Sequence, residues 1–156
     1  MKVEIVTPQG RAFAGEAAQV TAPGVMGEFG ILPGHIPFLA AVRSGVLRLG
    51  QGEGEQPFAI GPGFVQVGYG DKVIVLTDLC LTPEQIDLAA AQRELEEATA
   101  QLAKWDRELD ADWLELEARR AWADARVETR TGEYRNGGIG ARTSPNLPES
   151  PPNPAF

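Results

Sequence analysis

A small all-β domain followed by a helical hairpin is the fold class that this 156-residue sequence predicts, and three observations predict it. Fourteen of the eighteen glycines fall by Gly70, where they punctuate short β-branched and aromatic runs. No glycine lies between Asp71 and Thr131, and no proline between Glu84 and Ser144. Within that unbroken stretch apolar residues recur every three or four positions, the period of one helix face.

Residues 1–82 form the predicted β domain, a sandwich or a barrel. Val3/Ile5, Val46/Leu47/Leu49, Phe58/Ile60, Val65/Val67 and Val73/Ile74/Val75/Leu76 read as strands. Turn residues separate them at Pro8-Gln9-Gly10, Pro23-Gly24, Gly50-Gln51-Gly52, Gly61-Pro62-Gly63 and Gly68-Tyr69-Gly70. Phe64–Val67 and Lys72–Val75 read as a hairpin joined through Gly68–Asp71.

Residues 83–130 form the predicted hairpin. Thr82-Pro83-Glu84-Gln85 reads as a helix start, with Thr as N-cap, Pro at the first helical position and Gln as capping-box partner. Leu88, Ala91, Leu95, Ala98, Leu102, Trp105 and Leu109 make a seam along one face. Asp112, with Glu115 three residues on, reads as a second N-cap, which places a turn at 108–111 and a second helix over 112–128. Leu114, Ala118, Ala121 and Ala125 are its expected packing stripe, flanked by Trp113 and Trp122. One unbroken helix to Val127 is the alternative. Residues 131–156, with four glycines and five prolines, are expected to be a disordered, partly polyproline tail.

Composition excludes several classes of function. A net charge of −8 does not suit binding to a phosphate backbone, so no nucleic-acid partner is expected. A single cysteine, Cys80, permits no intrachain disulfide and fits a reducing compartment. Its apolar, post-strand setting reads as an inert packed thiol. The N-terminus lacks the apolar core of a signal peptide, and no run approaches the roughly 20 apolar residues of a membrane span. The expectation is a soluble cytoplasmic chain that meets a membrane only through a partner. One histidine, with no Ser/His/Asp or Cys/His arrangement, argues against catalysis. No residues sit at metal-ligand spacing, and no cofactor is expected. The glycines at 27, 30 and 34 do not form a dinucleotide-binding fingerprint.

The most distinctive segment is Gly27-Glu28-Phe29-Gly30-Ile31-Leu32-Pro33-Gly34-His35-Ile36-Pro37-Phe38-Leu39. Taken structurally, it is a wide turn between strands, with Ile31, Leu32, Ile36, Phe38 and Leu39 filling the core beneath it. Taken functionally, it is a stiff loop that presents Glu28 and His35 at low entropic cost. A rigid loop serves both.

This segment resembles the signature of the epsilon subunit of F-type ATP synthases, Gly-Glu-x-Gly-Ile-x-Pro-Gly-His-x-Pro-Leu-Leu, with Phe38 as a mild change. Ser44-Gly45-Val46-Leu47-Arg48, Gly61-Pro62-Gly63-Phe64-Val65-Gln66-Val67, Val73-Ile74-Val75-Leu76-Thr77-Asp78 and the opening Val3-Glu4-Ile5-Val6-Thr7-Pro8 are similar to other family segments, in order and in register. The resemblance implies an N-terminal β-sandwich and a C-terminal antiparallel helical hairpin. It implies a non-catalytic rotor part that binds the gamma subunit and the ring of c subunits, peripheral on the cytoplasmic face of the bacterial inner membrane. Glu28, Gly30, Pro33, Gly34, His35 and Pro37 carry over as partner-binding positions.

Two family features are altered. Some members bind ATP through Ile/Leu-Asp-x-x-Arg-Ala, whereas this chain has Ile86-Asp87-Leu88-Ala89-Ala90-Ala91. With Ala90 in place of arginine a bidentate phosphate contact is missing, which leaves Asp87 as a weak nucleotide candidate and otherwise a helix-start residue. Inhibitory hairpins in the family tend to be basic, yet Glu84 to Arg130 holds thirteen acids and seven bases. Arg119, Arg120 and Arg126 are the residues that could meet acidic catalytic beta subunits. The rival reading is a β-domain adaptor that recruits a partner through the Leu88–Leu109 seam as a coiled coil.

Overall fold

Parallel pairing of the first strand with the last long strand brings the two ends of the β domain together. The computed structural model describes residues 1–51 and 53–134. Ten strands are present among them: β1 (Lys2–Thr7), β2 (Gly10–Glu16), β3 (Gln19–Gly24), β4 (Gly27–Ile31), β5 (Phe38–Val42), β6 (Gly45–Gln51), β7 (Gly54–Ile60), β8 (Gly63–Gly68), β9 (Lys72–Thr77) and β10 (Cys80–Leu81). β4–β3–β6–β7–β10 make one sheet and β5–β8–β9–β1–β2 the other. The two are joined where Gly24 of β3 pairs with Val42 of β5. β1 runs parallel to β9, Val3 opposite Val73 and Ile5 opposite Val75.

Alternation along each strand turns every second residue inward. Val3, Ile5, Val65, Val67, Val73 and Val75 from one sheet meet Val20, Ala22, Leu47, Leu49, Phe58 and Ile60 from the other, all buried. Phe13 of β2 meets the Phe58 ring edge-on, with centroids 5.2 Å apart. The predicted β8–β9 hairpin forms, with Val65 opposite Val75 and Val67 opposite Val73. Gly63 is fixed by space: a Cβ there would lie 1.9 Å from the Leu76 carbonyl oxygen.

The 27–39 segment corrects the expectation of one wide turn. Gly27–Ile31 is strand β4, a hairpin partner of β3 around Val25-Met26, and Phe38 already begins β5. Only Leu32–Pro37 is loop. Nor do its apolar residues fill the core. Ile31 is buried and Phe38 half-buried, but Leu32, Ile36 and Leu39 are 56%, 74% and 66% exposed.

The helices also differ in detail. The Thr82 start drives a single 3₁₀ turn, Pro83–Gln85, in which the Gln85 side chain accepts the Thr82 N–H at 3.0 Å. The α-helix begins one step later: α1 is Leu88–Ala103, N-capped by Asp87, whose carboxylate accepts the Ala90 N–H at 3.1 Å. Ile86, between turn and helix, is buried. α1 ends at Ala103, so Trp105 and Leu109 fall beyond the helical seam, and Leu109 is exposed. The connection is 104–110, longer and earlier than expected. No Gly or Pro marks it because side chains hold it: Trp105 Nε1 donates to Glu108 O at 3.1 Å, and Arg107 covers the Trp105 ring and pairs with Asp112 at 3.0 Å.

Asp110, rather than Asp112, caps α2 (Ala111–Thr131), accepting the Trp113 N–H at 3.1 Å. The two-helix reading therefore holds over the unbroken helix. The packing stripe of α2 is rotated from the expected one. Leu116, Ala123, Ala125 and Thr129 are buried, Ala121 is half-buried, and Leu114 and Ala118 are exposed. The reason is that α2 has two neighbours, α1 and the outer face of β6–β7, so its buried surface faces between them. Val46 and Ala59, paired across β6 and β7, point away from the sandwich core and are buried beneath it. The Leu88–Leu102 seam faces α2, which disfavours a free adaptor helix. α2 stops at Gly132 in the left-handed region (φ 75), whose N–H reaches Glu128 O. Thr131 is thus helical, and the expected disordered tail otherwise lies mostly on 135–156, outside the described residues.

Candidate functional site

The signature loop is built on a turn whose residues match its geometry. In Leu32-Pro33-Gly34-His35 the His35 N–H donates to Leu32 O at 3.1 Å. Proline pre-sets the second position, and Gly34 takes the φ of +80 that a type II turn demands at the third. The Gly34 N–H donates to Asp71 Oδ1 at 2.7 Å, joining the loop to the β8–β9 turn. His35 lies exposed against Phe38, ring centroids 4.7 Å apart. Its Nδ1–H donates to Ile36 O at 2.8 Å, which in the neutral ring leaves Nε2 as the acceptor of this exposed residue. Pro37 directly precedes β5, and a proline there disfavours a helical backbone at Ile36.

Glu28 and Gly30 belong elsewhere. Both lie in β4, opposite Pro23 and Thr21. The Glu28 carboxylate accepts from Arg48 at 2.7 Å, on the outer face that α2 shares. Arg48 also reaches Glu55 at 3.4 Å and sits 5.0 Å from the centre of the Tyr134 ring, just past the end of α2. Burial pushes the Tyr134 hydroxyl up from its ordinary pKa. The structure therefore gathers Pro33, Gly34, His35 and Pro37 into one loop and ties Glu28 to the helix-covered side.

The second outer face was missed in the sequence reading. Phe64 and Leu76 are cross-strand neighbours, as are Ala41 and Phe64, Gln66 and Ile74, and Val6 and Leu76. These residues point away from the core, and among the described residues no helix packs on this face as α2 does on β6–β7. Phe64 is 51% exposed and Leu76 44%, beside Leu39. Its signal was present: Val73-Ile74-Val75-Leu76 is apolar at every position, the mark of a strand with partners on both sides.

The helix arginines are engaged differently. Arg126 pairs with Glu94 across the hairpin. Arg120 pairs with Glu117 and Asp124, and the hydrogen bonds it donates to the Glu117 carboxylate raise its pKa above the ordinary value. Arg119 is exposed. Asp87 spends its carboxylate on the α1 cap. Desolvation pushes the Cys80 thiol from its ordinary 9.0 to about 11. An open groove of about 470 Å³ beside it is lined by Arg11, Leu81 and Trp122, without a converging set of titratable groups. Among the described residues no three His, Cys, Asp or Glu side chains are grouped to hold a metal, and no helix is long and apolar enough to cross a membrane.

Comparison with known proteins agrees with this geometry. Residues 1–83 match the family described as the ATP synthase Delta/Epsilon chain beta-sandwich domain. The chain is 40% identical over 104 residues to the ATP synthase epsilon chain of Geotalea uraniireducens, covering 67% of this chain and 75% of that one. With the epsilon chain of Desulforudis audaxviator it shares 42% over 106 residues, 67% and 76% of the two chains. A chain of the Euglena gracilis mitochondrial ATP synthase (OSCP/F1/c-ring) shares the fold, with a TM-score of 0.60 at 24% identity over 83% of this chain and 76% of that one. Because the sandwich match takes in more than half of the 156 residues and the identity runs on into the helices, the chain belongs to the ATP synthase epsilon chain family.

Proposed function

We propose that this chain is a non-catalytic central-stalk subunit of a rotary ATP synthase, on the cytoplasmic face of a bacterial membrane. The uncovered sheet face is the observation that carries this reading. A monomer gains nothing by holding Phe64, Leu76 and Leu39 in water on a rigid sheet, and such a patch marks a partner surface. Family membership supplies the partner: the gamma shaft seats on this face, and the loop Leu32–Pro37 meets the ring of c subunits. Ion flow that turns the ring then turns the shaft, and this chain transmits torque without bond chemistry. The division into a 1–82 docking module and an 83–130 hairpin follows the same logic.

The hairpin is the regulatory part. Arg126 is paired with Glu94 of α1, so its contact with catalytic beta subunits requires the two helices to separate, whereas Arg120 pairs only within α2 and Arg119 is exposed. Removing residues 84–156 from the assembled enzyme raises ATP hydrolysis if the hairpin inhibits; an unchanged rate rejects that role. The stalk assignment is tested by purifying a tagged copy from membranes. Gamma and the catalytic subunits accompany the natural chain, and a chain recovered alone overturns the assignment.

A further inference from the structure

Asp71 is the one described non-glycine residue with a positive φ, at 57°. Its neighbour Gly70 has φ 72, a value glycine adopts freely. The backbone at 71 would favour glycine too, so the aspartate is there for its side chain. That side chain reaches 37 positions back in sequence to accept the Gly34 N–H at 2.7 Å. Its own backbone is fixed by β1: the Asp71 carbonyl accepts the Lys2 N–H at 2.9 Å, and Lys2 is the ladder partner of Lys72. A residue held in a sparsely populated conformation by its surroundings, with its carboxylate aimed at a docking loop, fits the rule that such conformations cluster at working sites. On the loop side, Gly34 stands at the apex of the turn, between Pro33 and the exposed residues His35 and Ile36.

We propose that Asp71 is the positioning residue of the signature loop: it locks the turn at Gly34 to the β1–β9 ladder and so fixes the pose in which His35 and Ile36 meet the rotor ring. This rests on the docking reading of that loop. Without the carboxylate, the loop is held by its own turn hydrogen bond and the contact of His35 with Phe38. A charge-assisted bond to a backbone N–H is the strongest of these ties.

Two variants of the full chain separate anchoring from folding. Asp71→Gly keeps the φ and deletes the acceptor, whereas Asp71→Asn keeps an acceptor oxygen and tolerates the left-handed region. Amide hydrogen exchange at Gly34 is measured beside the melting temperature. The expected result is exchange at least about tenfold faster in Asp71→Gly, with Asp71→Asn close to the natural chain. Both melt within about 3 °C of the natural chain. Equal Gly34 exchange in Asp71→Gly and the natural chain overturns the proposal. Reassembly of the complex on stripped membranes then needs several-fold more Asp71→Gly than Asp71→Asn. Faster exchange with unchanged reassembly removes the loop from the docking surface, which is a failure of the functional reading and not of the anchor.

Discussion

The two outer faces of the sandwich are built alike and finished differently. On β6–β7 the outward residues are small, Val46 and Ala59, with Arg48 beside them, and a helix from the same chain lies on top. On β8–β9 they are large, Phe64, Ile74 and Leu76, and no described element covers them. A face that is always covered by its own chain can be shaped to the helix, and alanines at 59, 123 and 125 bring backbones close together. A face that waits for another chain needs side chains with area to bury, which aromatic anchors provide. Residue size on the outward positions thus separates internal packing from external docking.

Breaking the covered face has the largest expected effect. Ala59→Asp puts an unpaired carboxylate under α2 and is expected to cost about 3 kcal/mol or more, seen as a lowered denaturant midpoint with the hairpin released to proteolysis. The bare face responds in the opposite way. Phe64→Gln is expected to shift stability by less than about 1 kcal/mol yet weaken binding to the shaft subunit by about 2 kcal/mol, measured by titration. If both variants lose stability equally, the distinction between the faces is wrong. Arg126→Ala sharpens the comparison from the helix side. Its Glu94 partner is half-exposed, so losing the pair is expected to cost no more than about 1 kcal/mol, read from thermal melts at low and high salt.

The smallest effect concerns Cys80, at the sheet edge between the faces. A thiol pKa near 11 leaves little thiolate at neutral pH, so alkylation should run roughly a hundredfold slower than for an exposed cysteine. The sign with pH follows. Because the folded chain holds the proton more tightly than the unfolded one, its contribution to stability is complete below pH 9 and is lost as the pH rises from 9.0 to about 11. A melting temperature that rose across that window would contradict the assignment.

Much of the fold was legible in local chemistry. Alternating Val65/Val67 and Val73/Val75 marked the core hairpin, and the Leu88–Leu102 spacing marked the helix seam. What escaped depended on tertiary partners. Gly27–Ile31 has too much glycine to announce a strand, and it becomes one because β3 offers a free edge. The stripe of α2 was misread because helical period alone does not say that two surfaces, not one, must be packed. In the loop Leu32–Pro37, Pro33 and Gly34 announced their turn through backbone preference. Leu32, Ile36 and Leu39 read as core in the sequence because hydrophobicity alone does not say whether the chain's own elements bury a residue or leave it exposed. Asp71 gave no signal, since its role depends on a residue far away in sequence.

The parallel ladder between β1 and β9 has a consequence for synthesis. The strand made first finds its second neighbour only after residue 77 has left the ribosome, so until then the nascent chain carries an open edge and a half-built core. The helices are made later still, so the residues of the sandwich are all synthesised before either helix.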